Sequence, residues 1–106
     1  MVTLDDEKRH GVSCNLDVVK ALAAQGCIIY FSSQVQKDID ALGFEDDDVC
    51  ARLAMLQPSN YAHSVKYAGL DLWLDVYLIA GLYVKFKLDR KCLNIVLHSF
   101  HPERNS

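Results

Sequence analysis

Apolar residues recur with a helical period along the first half of the chain and alternate along the second half. Asn15 stands at a capping position ahead of Leu16, Val19, Leu22 and Ala23, and Gly26 can end that helix. The run from Cys27 to Phe31 suits a short strand. Ser33 and Gln36 have capping-box spacing, Val35, Ile39 and Leu42 follow on one helical face, and Gly43 marks a stop. Glu45 to Asp48 open a third helix carrying Val49, Leu53 and Leu56, which Pro58 terminates.

Beyond Pro58 the period changes to two. Residues 61–67 form a candidate strand. Residues 72–79 form a stronger one, with Leu72, Leu74, Val76 and Leu78 facing one way and Trp73, Asp75 and Tyr77 the other. After a turn at Gly81, Leu82, Val84, Phe86 and Leu88 point to the core, while Tyr83, Lys85 and Lys87 share the opposite face. Residues 92–100 make the last strand. Three helices within residues 15–57, then a meander, predict a single α+β domain over residues 1–106, with N-terminal helices packed on a C-terminal antiparallel sheet. The ends, 1–6 and 102–106, are expected to fray.

Composition adds little against this reading: 51% apolar and 24% charged residues are ordinary for a globular protein. No apolar run approaches the roughly 20 residues that span a bilayer. The first ten residues hold five charges and lack the apolar stretch of a signal peptide, so a cytoplasmic protein without a membrane partner is expected. Cys14, Cys27, Cys50 and Cys92 are widely spaced and read as buried free thiols, with neither disulfide nor metal; no cofactor is expected.

The net charge of −3 argues mildly against a nucleic-acid partner, but its distribution is uneven. Residues 1–58 carry five Lys/Arg against ten Asp/Glu, whereas residues 59–106 carry six against four and three of the four histidines. An anionic ligand is therefore to be sought on the second half. A final hairpin turning at Arg90 and Lys91 pairs Leu88 with Leu93, Phe86 with Ile95 and Val84 with Leu97, and sets His98 opposite Tyr83. A different loop or a bulge near Ser99 brings His101 there instead. Either way an imidazole lies near a phenol beside two lysines. Such groups suit metal-independent RNA cleavage: a histidine moves protons near neutral pH, a lysine stabilises charge on phosphorus, and a tyrosine donates a hydrogen bond or stacks on a base. Alternating lysines more commonly form nothing but a solvated face, and the pattern alone does not separate the two.

Glu7-Lys8-Arg9, Leu16 with Val19-Lys20, Leu42-Gly43-Phe44, Tyr61 with Ser64, Tyr67, Trp73, Asp75-Val76-Tyr77, Tyr83-Val84-Lys85 and Ser99-Phe100 occur in an order and spacing that resembles the MqsR (motility quorum-sensing regulator) toxins. The resemblance runs from about Glu7 to His101. It implies a fold like RelE-type ribonucleases, cleavage of mRNA, and neutralisation by an MqsA-like helix-turn-helix antitoxin. It also implies that Tyr83 is an active residue and that a family lysine is matched by His98 in an ungapped hairpin, or by His101 if Ser99-Phe100 is the anchor. A family lysine after the Tyr61 position is Ala62 here, with His63 beside it, and a family glutamine after Trp73 is Leu74. The candidates are therefore Tyr83, His101, His98 and His63 for catalysis and Lys85, Lys87, Lys66 and Trp73 for RNA binding. A toxin-like module that binds its antitoxin without cleaving RNA is the alternative.

Overall fold

The computed structural model describes residues 7–66 and 72–103. What was expected of residues 1–6, of Tyr67 and of 104–106 lies outside them. In chain order the elements are β1 (Glu7–Arg9), α1 (Leu16–Ala24), β2 (Ile28–Tyr30), α2 (Ser33–Ala41), α3 (Asp46–Ala54), a 3-10 turn at Pro58–Asn60, β3 (Tyr61–Lys66), β4 (Trp73–Ile79), β5 (Leu82–Leu88) and β6 (Ile95–Pro102). The α+β expectation holds. The sheet is larger than the meander, however: its six strands run β1-β3-β4-β5-β6-β2, and β2 joins β6 in parallel. Pro102, expected in a frayed end, closes β6 opposite Leu82, and the Glu103 N–H donates to the Gly81 carbonyl at 2.8 Å.

Local chemistry explains most helix ends. The Asn15 side chain accepts from the Val18 N–H at 3.2 Å, and the Asp48 carboxylate accepts from the Glu45 N–H at 2.8 Å. The capping box expected at Ser33 and Gln36 does not form. Ser32 is the cap residue, without a side-chain cap bond, and Ser33 is already helical. The helices bury Val19, Val35, Ile39, Val49 and Leu53 against Tyr77, Val84, Phe86, Ile95, Leu97 and Phe100 of the sheet. Tyr77 and Phe86 stack with ring centres 5.5 Å apart.

On β4 it is the row of Tyr77 and Ile79 that meets the helices. Leu74 and Val76 point the other way and, with Val65, form a second buried cluster against which Ala62 and Tyr83 pack. Both faces of the middle strand are thus apolar in part.

Asp75 belongs to the helix-facing row and is fully buried. A carboxylate there is tolerable only when its oxygens are saturated by donors. It accepts from the Ser13 N–H at 2.9 Å, the Cys14 N–H at 2.8 Å and the Ser64 hydroxyl at 2.6 Å. Ser64 in turn lies 2.7 Å from the Tyr61 hydroxyl, which receives the Gly11 N–H at 2.8 Å. With its single proton spent on Asp75, Ser64 accepts from Tyr61. Residues 11–14 are tied to the sheet by this relay. Burial and the neighbouring Asp75 charge push the Cys14 thiol up to about 11. Cys14 is buried as expected, but Cys92 is exposed and Cys27 and Cys50 are half-buried.

The β4–β5 turn places Ala80 at φ 51° and Gly81 at φ 79° between the paired Ile79 and Leu82, the geometry of a type I′ hairpin. Alanine is strained there and asparagine is not. Ala80→Asn is expected to raise stability by about 0.5–1 kcal/mol, read as a higher urea midpoint with an unchanged slope.

Asp75→Asn places an amide where three donors converge and is expected to cost about 3 kcal/mol. A urea midpoint equal to that of the unsubstituted protein would show that the relay does not hold residues 11–14.

Candidate active site

The last hairpin decides which histidine meets Tyr83. Asp89 closes its loop: the carboxylate accepts from the Leu93 N–H at 2.8 Å, the Asn94 N–H at 3.1 Å and the Asn94 side chain at 3.0 Å. These bonds, that of the Asn94 side chain foremost, hold the Asp89 carboxyl below its usual range. The loop is longer than a turn at Arg90 and Lys91. Leu88 pairs with Ile95 and Phe86 with Leu97, and the pairing expected for Leu93 is replaced by an exposed side chain.

A register shift follows. Phe86 opposes Leu97, yet Lys85 opposes Ser99, so His98 is the extra residue of a β-bulge. The bulge keeps Leu97 and Phe100 both in the core. It also sets His101, not His98, opposite Tyr83. The two rings stack with centres 5.1 Å apart and an interplanar angle of 8°. Placing His98 across from Tyr83 is thereby corrected: the longer loop shifts the pairing by two residues and the bulge by one more, which together move the partner of Tyr83 from His98 to His101.

The His101 Nδ1 lies 2.8 Å from the Pro102 carbonyl oxygen. A carbonyl only accepts, so Nδ1 carries the proton and Nε2 presents its lone pair. Lys85 lies two residues along from Tyr83 on the same face, and Lys87 two further.

A second irregularity, between Tyr61 and His63, allows Tyr61 to face the helices opposite Tyr77 while His63 comes to the outer face opposite Val76. Val76 also pairs with Lys85, so His63, Lys85 and Ser99 form one row across β3, β5 and β6. Burial first, then the charges of Lys8, His10 and Lys85, lowers the His63 pKa and favours its neutral imidazole.

The remaining candidates separate. His98 is buried, its ring stacked on Phe31 at 4.0 Å, and burial with the nearby Lys85 and Lys87 charges lowers its pKa to about 4. It packs the edge of the face as a neutral ring. Trp73 and Lys66 pair with one another in the row that faces the helices, so they are not brought to Tyr83. Trp73 instead carries the Arg9 guanidinium 3.9 Å from its ring centre. Sequence reading did not single out Ser99 or Phe31 for this surface. Both depend on irregular or parallel pairing that periodicity does not encode.

The fold is an α+β domain in which the described helices cover one face of the sheet, while Tyr83, His101, His63 and Lys85 share the other. The family model described as motility quorum-sensing regulator, toxin of MqsA, matches residues 12–101, and the chain belongs to that family of toxin–antitoxin toxins. A search of curated proteins finds no match. Among the described residues no helix is long and apolar enough to cross a membrane.

The buried His98 has a consequence for pH dependence. Its folded pKa of about 4 lies below the ordinary 6.5, so between those values the unfolded chain binds more protons than the folded one. Its contribution is complete above the ordinary value and is lost as pH falls toward the folded one. His98→Phe, which keeps an aromatic ring on Phe31, is expected to lose less stability than the unsubstituted protein between about pH 7.5 and about pH 5, measured by urea unfolding. Parallel losses would count against a buried neutral His98.

Proposed function

We propose that this chain is a metal-independent endoribonuclease toxin that cleaves mRNA by 2′-hydroxyl attack, in the cytoplasm, and is neutralised by an MqsA-like antitoxin. The observation that carries this reading is the Tyr83–His101 stack with Lys85 beside it. His101 Nε2 is aimed to exchange a proton, since Nδ1 is committed to the Pro102 carbonyl. As base it takes the 2′-hydroxyl proton, and the oxygen attacks the adjacent phosphorus. Lys85 faces the negative charge that builds on the phosphorane, as a preorganised cation does. Expulsion of the 5′-oxygen, with a proton from the Tyr83 hydroxyl, leaves a 2′,3′-cyclic phosphate. His63, on the far side of Lys85 and held toward its neutral form, is a second proton acceptor on the same face.

A second reading has its own observation. Ala62 and Leu74 occupy positions where the resemblance implies a lysine and a glutamine, and both pack in the dry cluster beneath Tyr83. A module that binds its antitoxin and no longer cuts RNA fits that loss of polarity. Purified protein incubated with RNA in EDTA separates the two. The toxin reading expects fragments ending in cyclic phosphate and a fall of roughly two to four orders of magnitude in rate for His101→Ala, with a comparable or smaller loss for Tyr83→Phe. Full activity in both variants would dismiss this pair, and antitoxin binding without any cleavage would favour the second reading.

A further inference from the structure

At the end of the sheet remote from the Tyr83–His101 stack, a cleft of about 630 Å³ opens where β1, β4 and β5 meet the segment leading into α1. Its walls include Trp73, Val12 and Leu72, and its cations are Arg9, Lys87 and Arg90. Val12 is 53% exposed and Leu72 38%, so an apolar wall faces solvent. The carboxylate in the lining, Asp89, is already occupied by the two backbone N–H groups and the Asn94 side chain that close its own loop. Three cations therefore gather around an aromatic and apolar wall in a chain whose net charge is −3. Arg9 is held in place: it donates to the Ser13 hydroxyl at 2.6 Å while lying on the indole, and the Lys66 ammonium sits 5.9 Å from the same ring.

We propose that this cleft is a nucleotide subsite, taking a base of the single-stranded RNA whose scissile phosphate lies at Tyr83 and His101. The inference rests on the ribonuclease reading and extends it. A volume of this order accommodates a nucleotide. A flat base meets the indole and the exposed Val12 and Leu72, which suits stacking that is tolerant of base identity. Arg90 and Lys87 at the rim meet the phosphates. Lys87 connects the two regions, since it follows Tyr83 and Lys85 in the outward row of β5 and also lines the cleft. Trp73 and Tyr83 lie on opposite faces of the sheet. The RNA therefore runs about 13 Å along the four residues of strand from Tyr83 to Lys87 and then rounds the end of β5 at Asp89 and Arg90 into the cleft, a path that a few nucleotides can span.

Trp73 is the sole tryptophan of the chain and reports directly on the cleft. The probe is a short single-stranded RNA carrying 2′-O-methyl groups, which binds without being cut, labelled for anisotropy. Binding is expected to change Trp73 fluorescence in step with the anisotropy. Arg90→Gln, at an exposed position and with its folding checked by circular dichroism, is expected to weaken binding about tenfold. It should also reduce the salt slope of log Kd by about 0.7, as for one lost phosphate contact to a single strand. On cleavable RNA it should raise KM and leave kcat. If anisotropy rises while Trp73 is silent and Arg90→Gln binds normally, the subsite is refuted and the ribonuclease reading stands. If the RNA does not bind at all, both fall. If poly-glutamate changes Trp73 fluorescence and RNA does not, the cleft receives an acidic polypeptide and the nucleotide assignment is wrong.

Discussion

A fully buried carboxylate sets the terms for much of this fold. Asp75 lies in the middle of β4 on the face the helices cover, where an unpaired charge would cost several kcal/mol. Backbone N–H groups of Ser13 and Cys14 and the Ser64 hydroxyl meet it, and the Tyr61–Ser64 contact extends the relay to Gly11. The segment between β1 and α1 is therefore shaped by a demand that originates in the sheet. Since α1 begins immediately after it, the relay also sets where the first helix starts over the core. The same segment supplies Val12 to the cleft beside Trp73, so one polar cluster positions both the helical layer and that wall.

Two bulges then distribute the side chains of the outer face. An uninterrupted alternation along β6 would have to choose between burying Leu97 and burying Phe100, because their spacing is odd. The extra residue at His98 lets both enter the core, at the cost of one regular ladder pair. Hydrophobic burial of two large side chains outweighs that disruption, being worth about 2 kcal/mol for each. The stack of Tyr83 on His101 is a by-product of this choice. In β3 the shift between Tyr61 and His63 has the same character. Tyr61 is needed on the inner face for the Asp75 relay, and His63 is thereby released to the outer one.

The outer face is only partly polar. Val65, Leu74 and Val76 give Tyr83 a dry footing, and His98 under Phe31 closes the β2 edge. Imidazoles and lysines stand on this footing rather than in a deep pocket. The proposed ribonuclease reading would lay a flexible anionic chain along β5 on this surface.

The three helices, the four later strands and the inward positions of Val84, Phe86 and Leu97 were legible in the sequence, because burial of one face imposes its own period on the chain. So was the juxtaposition of the Tyr83 phenol with a C-terminal imidazole. Other features were not legible. The Asp89 loop and the His98 bulge each change register without altering composition, so alternation could not tell His98 from His101. The parallel partner of β6 lies about seventy residues upstream, and the relay around Asp75 joins residues some sixty positions apart. Periodicity reports what a segment does to its own neighbours. Saturation of a buried charge, the choice of bulge and the separation of Trp73 from Tyr83 onto opposite faces are settled only when distant segments compete for the same donors and the same core volume.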